Sequence, residues 1–272
     1  MDRKKIYFLI GIALVLVALI CAMIYWFAFH SPEIELIISE QELSIVQGES
    51  GQLQAALEPW YINRELIWST SHPRLLTVDD QGNINALRTG SAVVYVSEPG
   101  GSFAACLVTV EPMTLTLSGG TYTGEVRDGR PHWQGEWIHP DGYRYSGQWV
   151  DGVIEGEGTM EWPDGQIYTG EWRAGKMHGY GIMEWPSGQR YQGQWLADQL
   201  HGAGSMTWPD GDHYEGQWRY DEMHGSGVMH WANGESYTGQ WVSGKINGAG
   251  TYRWPDGEEQ TGTWEDGKFK GE

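Results

Sequence analysis

From residue 121 to residue 272, apolar and polar residues alternate along short stretches that are separated by turn-forming residues. In one such stretch, Tyr168, Gly170 and Trp172 fall on one face of a strand, and Thr169 and Glu171 fall on the other. A period of two predicts β-strands, and two turn signals per unit predict one hairpin per unit. The unit recurs every 23 residues, starting at Tyr122, Tyr145, Tyr168, Tyr191, Tyr214 and Tyr237, with a truncated seventh copy from Gln260.

Such a repeat predicts an array in which each unit packs against its neighbours. Numbering positions from the tyrosine, positions 19 to 21 read Pro-Asp-Gly or a close variant, which suits a type I turn that ends in a residue with positive φ. Position 8 is glycine in most copies but aspartate at Asp198 and Asp221, so we expect the left-handed conformation there as well. Thirteen strands at about 4.8 Å each predict a rod roughly 60 Å long.

Glycine also recurs inside the strands, at positions 3, 12 and 14. Glycine weakens a strand, so its repetition marks places where another group must approach closely. We expect the ring of a neighbouring tyrosine or tryptophan to lie over these glycines, which would let a single sheet bury its aromatic side chains.

The segment from Tyr168 to Gly188 reads Tyr-x-Gly-x-Trp, then Gly-Lys, then His-Gly-x-Gly and a turn glycine. It is similar to the membrane occupation and recognition nexus (MORN) repeat. The first copy departs most from this pattern, with Val126, Trp133 and His139, as expected of a terminal copy. The resemblance implies an elongated antiparallel β-meander that is used for protein or lipid association.

The N-terminal region contains 24 residues without a charge, from Ile6 to Phe29. At about 1.5 Å per residue, a helix of this length could cross a hydrocarbon layer of roughly 30 Å. Arg3, Lys4 and Lys5 precede it, so the positive-inside rule predicts a cytoplasmic N-terminus and external C-terminal domains. We expect an uncleaved single-pass membrane anchor; the alternatives are a cleaved signal peptide and a buried helix.

Residues 31–112 form short β-type runs with turn signals between them, as in a β-sandwich. Alternating Ala104, Cys106, Val108 and Val110 predict a half-buried strand. The region resembles the bacterial immunoglobulin-like group 2 family through the segments 43–48, 67–71, 76–82, 86–90 and 106–110. That resemblance implies a stalk or adhesive module, with Trp68 in its core. Cys106 is expected to be a buried apolar residue rather than a reactive thiol.

The predicted fold class is therefore mainly β, with an N-terminal transmembrane helix, an immunoglobulin-like β-sandwich and an elongated antiparallel β-meander solenoid. The predicted segments are a cytoplasmic tip and anchor at 1–30, the sandwich at 31–112, a linker at 113–120 and the repeat array at 121–272.

The chain carries a formal net charge of −19, and the array holds 11 basic against 24 acidic residues. This charge would repel nucleic acid and disfavours anionic lipid headgroups. The two cysteines, Cys21 and Cys106, lie in separate regions, so no intramolecular disulfide is expected.

No catalytic, metal or cofactor site is predicted. Histidines recur at position 11 (His132, His178, His201 and His224) and aspartates at position 20 (Asp141, Asp164, Asp210 and Asp256). Successive copies lie two strands apart, about 10 Å, which is too far for side chains to share one metal ion. The aspartates follow prolines and are typical of turns. Carboxylate pairs such as Glu155 and Glu157 lack a surrounding cleft, so an enzyme is not expected.

The repeated aromatic residues give the candidate binding face. Most rings should pack internally, but a single layer of strands should leave some exposed. We predict a non-catalytic surface for a protein partner at the cell membrane; the alternatives are stacking on cell-wall glycan and, third, lipid binding. The open terminal strands also allow edge-to-edge self-association. The candidate residues are Tyr168, Trp172, Trp185, Tyr191, Trp195, Trp208, Tyr214 and Trp218.

Overall fold

The computed structural model describes residues 17, 19–23, 34–60 and 62–272. Residues 17 and 19–23 are helical, and within the described part of the chain no helix is long and apolar enough to cross a membrane. This finding contradicts the transmembrane helix predicted over Ile6–Phe29, most of which lies outside the described residues. The chain divides into two compact units, Met1–Val110 and Glu111–Glu272.

The first unit is rich in strands, as its alternating pattern predicts. They form a pair (β1–β4), a four-stranded sheet in the order β2-β9-β8-β5 and a three-stranded sheet in the order β3-β7-β6. The strands are β1 (Glu35–Ile38), β2 (Glu42–Val46), β3 (Ser50–Gln52), β4 (Ala55–Glu58), β5 (Ile67–Thr70), β6 (Leu76–Val78), β7 (Asn83–Ala86), β8 (Gly90–Ser97) and β9 (Phe103–Glu111).

Buried side chains from the four-stranded and three-stranded sheets form one hydrophobic cluster, which places the core of the unit between them. Cys106, Val108 and Val110 are buried within it, so the predicted alternation is confirmed, and Trp68 packs against it partly buried. Burial raises the pKa of the Cys106 thiol to about 11, which keeps it protonated and unreactive as expected.

A charged side chain is also buried in this unit. The Glu98 carboxylate, 4% exposed, accepts hydrogen bonds from Arg64 Nη1 at 2.6 Å and from the N–H groups of Gly100 and Ser102. The hydrogen bond from Arg64 and that from Gly100 lower the pKa of Glu98. These bonds hold the β8–β9 hairpin loop closed.

The second unit is one antiparallel sheet of fifteen strands in sequence order. The expectation of thirteen strands missed two, β24 in the truncated copy and β10 in the residues assigned to a linker. The strands are β10 (Met113–Leu117), β11 (Gly120–Arg127), β12 (Arg130–Ile138), β13 (Arg144–Val150), β14 (Val153–Glu161), β15 (Ile167–Arg173), β16 (Lys176–Glu184), β17 (Arg190–Leu196), β18 (Gln199–Thr207), β19 (His213–Arg219), β20 (Glu222–His230), β21 (Ser236–Val242), β22 (Lys245–Arg253), β23 (Glu259–Glu265) and β24 (Lys268–Gly271).

From β11 onward, two kinds of turn alternate along the array, and each kind lies along one long edge of the sheet. Two-residue turns have positive φ at both residues, and the values of 74° at Asp198 and 70° at Asp221 confirm the left-handed conformation predicted for position 8. We call the edge that they form, with turns at 128–129, 151–152, 174–175, 197–198, 220–221, 243–244 and 266–267, the hairpin edge. Five-residue turns form the opposite edge, at 139–143, 162–166, 185–189, 208–212, 231–235 and 254–258.

Backbone hydrogen bonds join each two-residue turn from 151–152 onward to a strand of the preceding hairpin. The N–H of Gly175 donates to the carbonyl oxygen of Ile154 at 2.9 Å, and the N–H of Asp198 donates to that of Met177 at 3.0 Å. Each turn therefore binds the hairpin before it as well as closing its own.

Candidate functional site

The tyrosine rings lie over the glycines inside the strands, as the sequence predicts. A Cβ atom on Gly181 would lie 2.3 Å from the hydroxyl oxygen of Tyr168, and the same relationship recurs along the array. The register shifts between Gly170 and Trp172, so a β-bulge interrupts each hairpin at this point. The tyrosine rings therefore lie flat on the sheet, in the space that side chains would occupy if the strand glycines were larger residues.

From the second copy onward, each tyrosine ring packs edge-on against two tryptophan rings, one in its own copy and one in the next; in the first copy, where Val126 replaces the tryptophan, Tyr122 packs against Trp149 of the next copy. Tyr168 contacts Trp172 at a centroid distance of 5.1 Å and Trp195 at 5.3 Å, with interplanar angles of 89° and 83°. Edge-to-face packing is a favourable aromatic geometry. We call this continuous set the tyrosine–tryptophan ladder; it comprises Tyr122, Tyr145, Trp149, Tyr168, Trp172, Tyr191, Trp195, Tyr214, Trp218, Tyr237, Trp241 and Trp264.

The polar atoms of the ladder are satisfied within the sheet. Tyr168 Oη donates to the carbonyl oxygen of Glu171 at 3.0 Å, and Trp172 Nε1 donates to that of Gly158 at 3.1 Å. Burial raises the pKa of Tyr122 to about 12, and it also raises the pKa of Tyr145, Tyr168, Tyr191, Tyr214 and Tyr237 above the ordinary value.

The structure buries six of the eight candidate binding residues. Each ladder tyrosine among them is 0% exposed and each ladder tryptophan 5%, because stacking between copies encloses the rings without a second layer. They form the core of the array, so they are not available to a partner: Tyr168, Trp172, Tyr191, Trp195, Tyr214 and Trp218. Trp185 and Trp208, the other two, lie half-buried in five-residue turns.

These two tryptophans belong to a column at position 18. Each begins a five-residue turn, and its N–H donates to the last residue of that turn, as from Trp185 to the carbonyl oxygen of Gln189 at 2.9 Å. An exposed proline or alanine follows each of them. Neighbouring turns pack together, since a Cβ atom on Gly165 would lie 3.2 Å from Pro186 Cγ. The column comprises Trp162, Trp185, Trp208, Trp231 and Trp254.

The recurring aspartates are turn residues, as their spacing predicts. Asp164 Oδ1 accepts a hydrogen bond from the N–H of Gln166 at 3.1 Å, and Asp210 and Asp256 make the corresponding bond. Asn233 does the same with its amide oxygen. At position 11, His132 Nδ1 accepts from the N–H of Asp151 at 3.1 Å and Glu155 Oε2 accepts from that of Ala174 at 2.7 Å, whereas the buried Nδ1 of His201 has no hydrogen-bond partner among the described residues.

The two long edges differ in charge. Counting each turn with one flanking residue on either side, the hairpin edge holds seven acidic and seven basic residues. The five-residue turns hold ten acidic residues against Arg144, Arg190 and Arg253, and we call them the acidic edge. Its acidic residues are Asp141, Glu161, Asp164, Glu184, Asp210, Asp212, Glu235, Asp256, Glu258 and Glu259. Sequence reasoning missed this difference, although the charges at positions 17 to 23 carry the signal.

The face opposite the ladder is polar. At position 4, Gln194 Oε1 accepts a hydrogen bond from the N–H of Ala203 at 3.0 Å, and Gln217 Oε1 accepts from that of Ser226 at 3.2 Å. The side chain passes over the glycine at position 12: a Cβ atom on Gly202 would lie 1.8 Å from Gln194 Oε1. The position-4 residue thus satisfies a backbone group near the bulge.

These features define a class of repeat protein, a single-layer β-sheet stabilised by stacking between copies. The family model of the MORN repeat matches residues 122–142, 145–167, 168–190, 191–213, 214–236 and 237–259, which together make up half of the chain. The chain therefore belongs to the MORN-repeat family. This family membership indicates a binding or scaffolding role.

The other comparisons add little. No curated protein sequence matches the chain. Among solved structures, surface layer protein SbsC (domains 1-6) is similar to it at 10% identity and a TM-score of 0.25, over 61% of this chain. The matched part is only 26% of that structure's length, and so low a TM-score carries no argument about fold or function. The resemblance of residues 31–112 to bacterial immunoglobulin-like domains stays a prediction.

Proposed function

We propose that the repeat array is a non-catalytic surface that binds a basic protein partner along its acidic edge. The observation that carries this proposal is the coincidence, on one edge, of excess negative charge and half-buried tryptophans. Tryptophan is a frequent anchor at protein interfaces, and opposite charges steer a partner to the site. The hairpin edge has balanced charge and lacks the tryptophan column.

The spacing of the acidic edge favours an extended contact. Consecutive five-residue turns are two strands apart, so equivalent tryptophans recur at about 9.6 Å. A partner with basic residues at a similar interval can engage several turns together. Each exposed charge pair contributes only about 0.2–1 kcal/mol, so affinity must come from several turns and from burial of the tryptophans.

Two structural points support a partner other than lipid and a role other than catalysis. The acidic edge repels the anionic headgroups that attract basic proteins to membranes. Three of the repeated aspartates (Asp164, Asp210 and Asp256) and His132 already accept hydrogen bonds from turn N–H groups, which accounts for these residues without a reaction.

The first unit is proposed to be an immunoglobulin-like spacer. Cell-membrane location and edge-to-edge self-association both stay predictions. On the second point, the terminal strand β24 carries exposed Lys268 and Lys270, and lysines on an edge strand oppose pairing with another sheet.

The test begins with a photo-crosslinking residue in each edge. Replacing Ser187 places the crosslinker in a five-residue turn, and replacing Ser243 places it in a two-residue turn. We expect crosslinking in cells to yield one defined protein from the Ser187 position and not from the Ser243 position. That protein is identified by mass spectrometry and purified for affinity measurements.

Two charge-neutralised variants then compare the edges. Asp164→Asn/Asp210→Asn/Asp256→Asn removes three charges from the acidic edge and keeps the turn bond that Asn233 already makes. The matched control, Asp128→Asn/Asp221→Asn/Asp266→Asn, removes three from the hairpin edge. The first variant should bind about tenfold more weakly, since three pairs at about 0.5 kcal/mol each are lost. Equal affinities, or an affinity that does not fall with salt, would refute the proposal.

A further inference from the structure

A groove of about 1160 Å³ crosses the polar face of the array, opposite the ladder. Its lining comes from six consecutive strands, β16 to β21, so it extends about 24 Å at right angles to them. Glycines at positions 3 and 14, such as the opposed pair Gly216 and Gly227, form its floor. This site is separate from the acidic edge and does not depend on the function proposed for that edge.

The groove begins where position 13 changes from a large to a small residue. Glu157 and Tyr180 occupy this position in the second and third copies, whereas Ala203 and Ser226 occupy it in the next two. Large side chains fill the space between neighbouring rows, and small ones leave it open. Tyr180 therefore closes one end of the groove, where its ring is 50% exposed.

The lining has the chemistry of a surface for neutral, hydroxyl-rich ligands. Its polar groups are mainly amides and hydroxyls, among them Gln217, Ser226 and Thr238, with the single carboxylate of Glu215, the imidazole of His213 and no lysine or arginine. Amides and carboxylates bind pairs of sugar hydroxyls, and an exposed aromatic ring stacks on the apolar face of a sugar.

The arrangement disfavours a peptide. The strands crossed by the groove are internal to the sheet and already paired on both sides, so a peptide cannot join them by β-addition. Grooves that recognise polyproline helices are lined by several aromatic residues, but here Tyr180 is the only phenol or indole ring in the lining.

We propose that this groove binds a neutral, extended oligosaccharide, with Tyr180 stacking on a sugar at one end. The amides and hydroxyls of the following two copies hold the rest of the chain by hydrogen bonds. Because both the ligand and its contacts are uncharged in the main, affinity should change little with salt.

The test is isothermal titration of the purified chain with cellohexaose, chitohexaose and maltohexaose. Ala203→Tyr fills the groove with a side chain that the preceding copy already carries as Tyr180, so the fold should accept it. Ala249→Tyr is the matched control, since Ala249 occupies the same position in the sixth copy and lies outside the lining.

At least one hexasaccharide should bind, with affinity lowered tenfold or more by Ala203→Tyr, lowered by Tyr180→Ala and unchanged by Ala249→Tyr. The proposal is overturned if none of the three binds, or if the two tyrosine variants have equal effects. It is also overturned if a poly-L-proline peptide binds instead with the same sensitivity to Ala203→Tyr. The acidic-edge variants should leave sugar binding unchanged, so failure here is distinguishable from failure of the proposed protein contact.

Discussion

The hydroxyl oxygen of Tyr168 occupies the space that a side chain on Gly181 would need, because a Cβ atom there would lie 2.3 Å away. The same atom donates a hydrogen bond to the carbonyl oxygen of Glu171. The ring cannot withdraw without losing this hydrogen bond, so glycine and tyrosine depend on each other in each of the six full copies.

Gly181→Ala should therefore destabilise the array by about 1–3 kcal/mol, as expected of overpacking in a filled core. Thirteen of the sixteen tryptophans follow residue 120, so urea unfolding monitored by tryptophan fluorescence reports on this unit. Gly175→Asp is the control: nothing lies within 4 Å, and Asp198 and Asp221 already adopt its φ. We expect a change within about 0.5 kcal/mol for the control. Equal losses in both variants would contradict the packing argument.

Trp195→Ala should cost about 3–5 kcal/mol, because it removes a ring that is 5% exposed and packed between two tyrosines. Trp208→Ala removes a half-buried ring at the acidic edge and should cost about half as much. The same unfolding measurement compares them. If Trp208→Ala were the more destabilising change, the division between core and edge tryptophans would be incorrect.

The array should lose stability at alkaline pH. Burial raises the pKa of Tyr122 to about 12, whereas its ordinary value is 10.0. The unfolded chain therefore releases protons first, and the stabilisation is complete below about pH 10 and lost as pH rises toward 12. Tyrosinate absorbance should rise together with the loss of near-ultraviolet circular dichroism. Ionisation of the ladder tyrosines without unfolding would contradict their burial.

Glu98 should stabilise the first unit at neutral pH and not in acid. Arg64 lowers the pKa of this carboxyl below its ordinary 4.5, so its contribution is present above that value and disappears as pH falls through the lowered pKa. Glu98→Gln should accelerate hydrogen–deuterium exchange in residues 97–103 at pH 7, with a smaller difference from the unmodified chain below pH 4. Glu58→Gln, at an exposed position, should have no such effect.

Several features follow from the sequence because each depends on a local pattern. They are the repeat period, the hairpins, the residue types of both turns and the pairing of rings with glycines. Which of the rings are buried does not follow from a local pattern, since Trp172 and Trp195 are enclosed by stacking between copies 23 residues apart. Strand β10 lies outside the repeat, although the alternation of Met113, Leu115 and Leu117 was a usable signal.

Two further features were not predicted from the sequence, for a similar reason: the groove, and the hydrogen bonds that the Gln194 and Gln217 side chains accept from backbone N–H groups. Pattern reasoning treats polar positions as solvated, whereas these amides accept from N–H groups on the neighbouring strand. The recurrence of Gln or Glu at position 4 with glycine at position 12 could have revealed them. The predicted transmembrane helix rested on the apolarity of residues 6–29 alone, and no helix of the described residues supports it.

The hydrogen bonds from each two-residue turn to the preceding hairpin make the internal junctions of the array alike. Removing or adding one complete copy would therefore join surfaces that already fit each other. The distance between the first and last strands can then change only in steps of about 9.6 Å, the advance of one copy. Point substitutions change individual contacts, whereas the number of copies sets the distance between the first and last strands. The contacts and this distance can therefore vary independently.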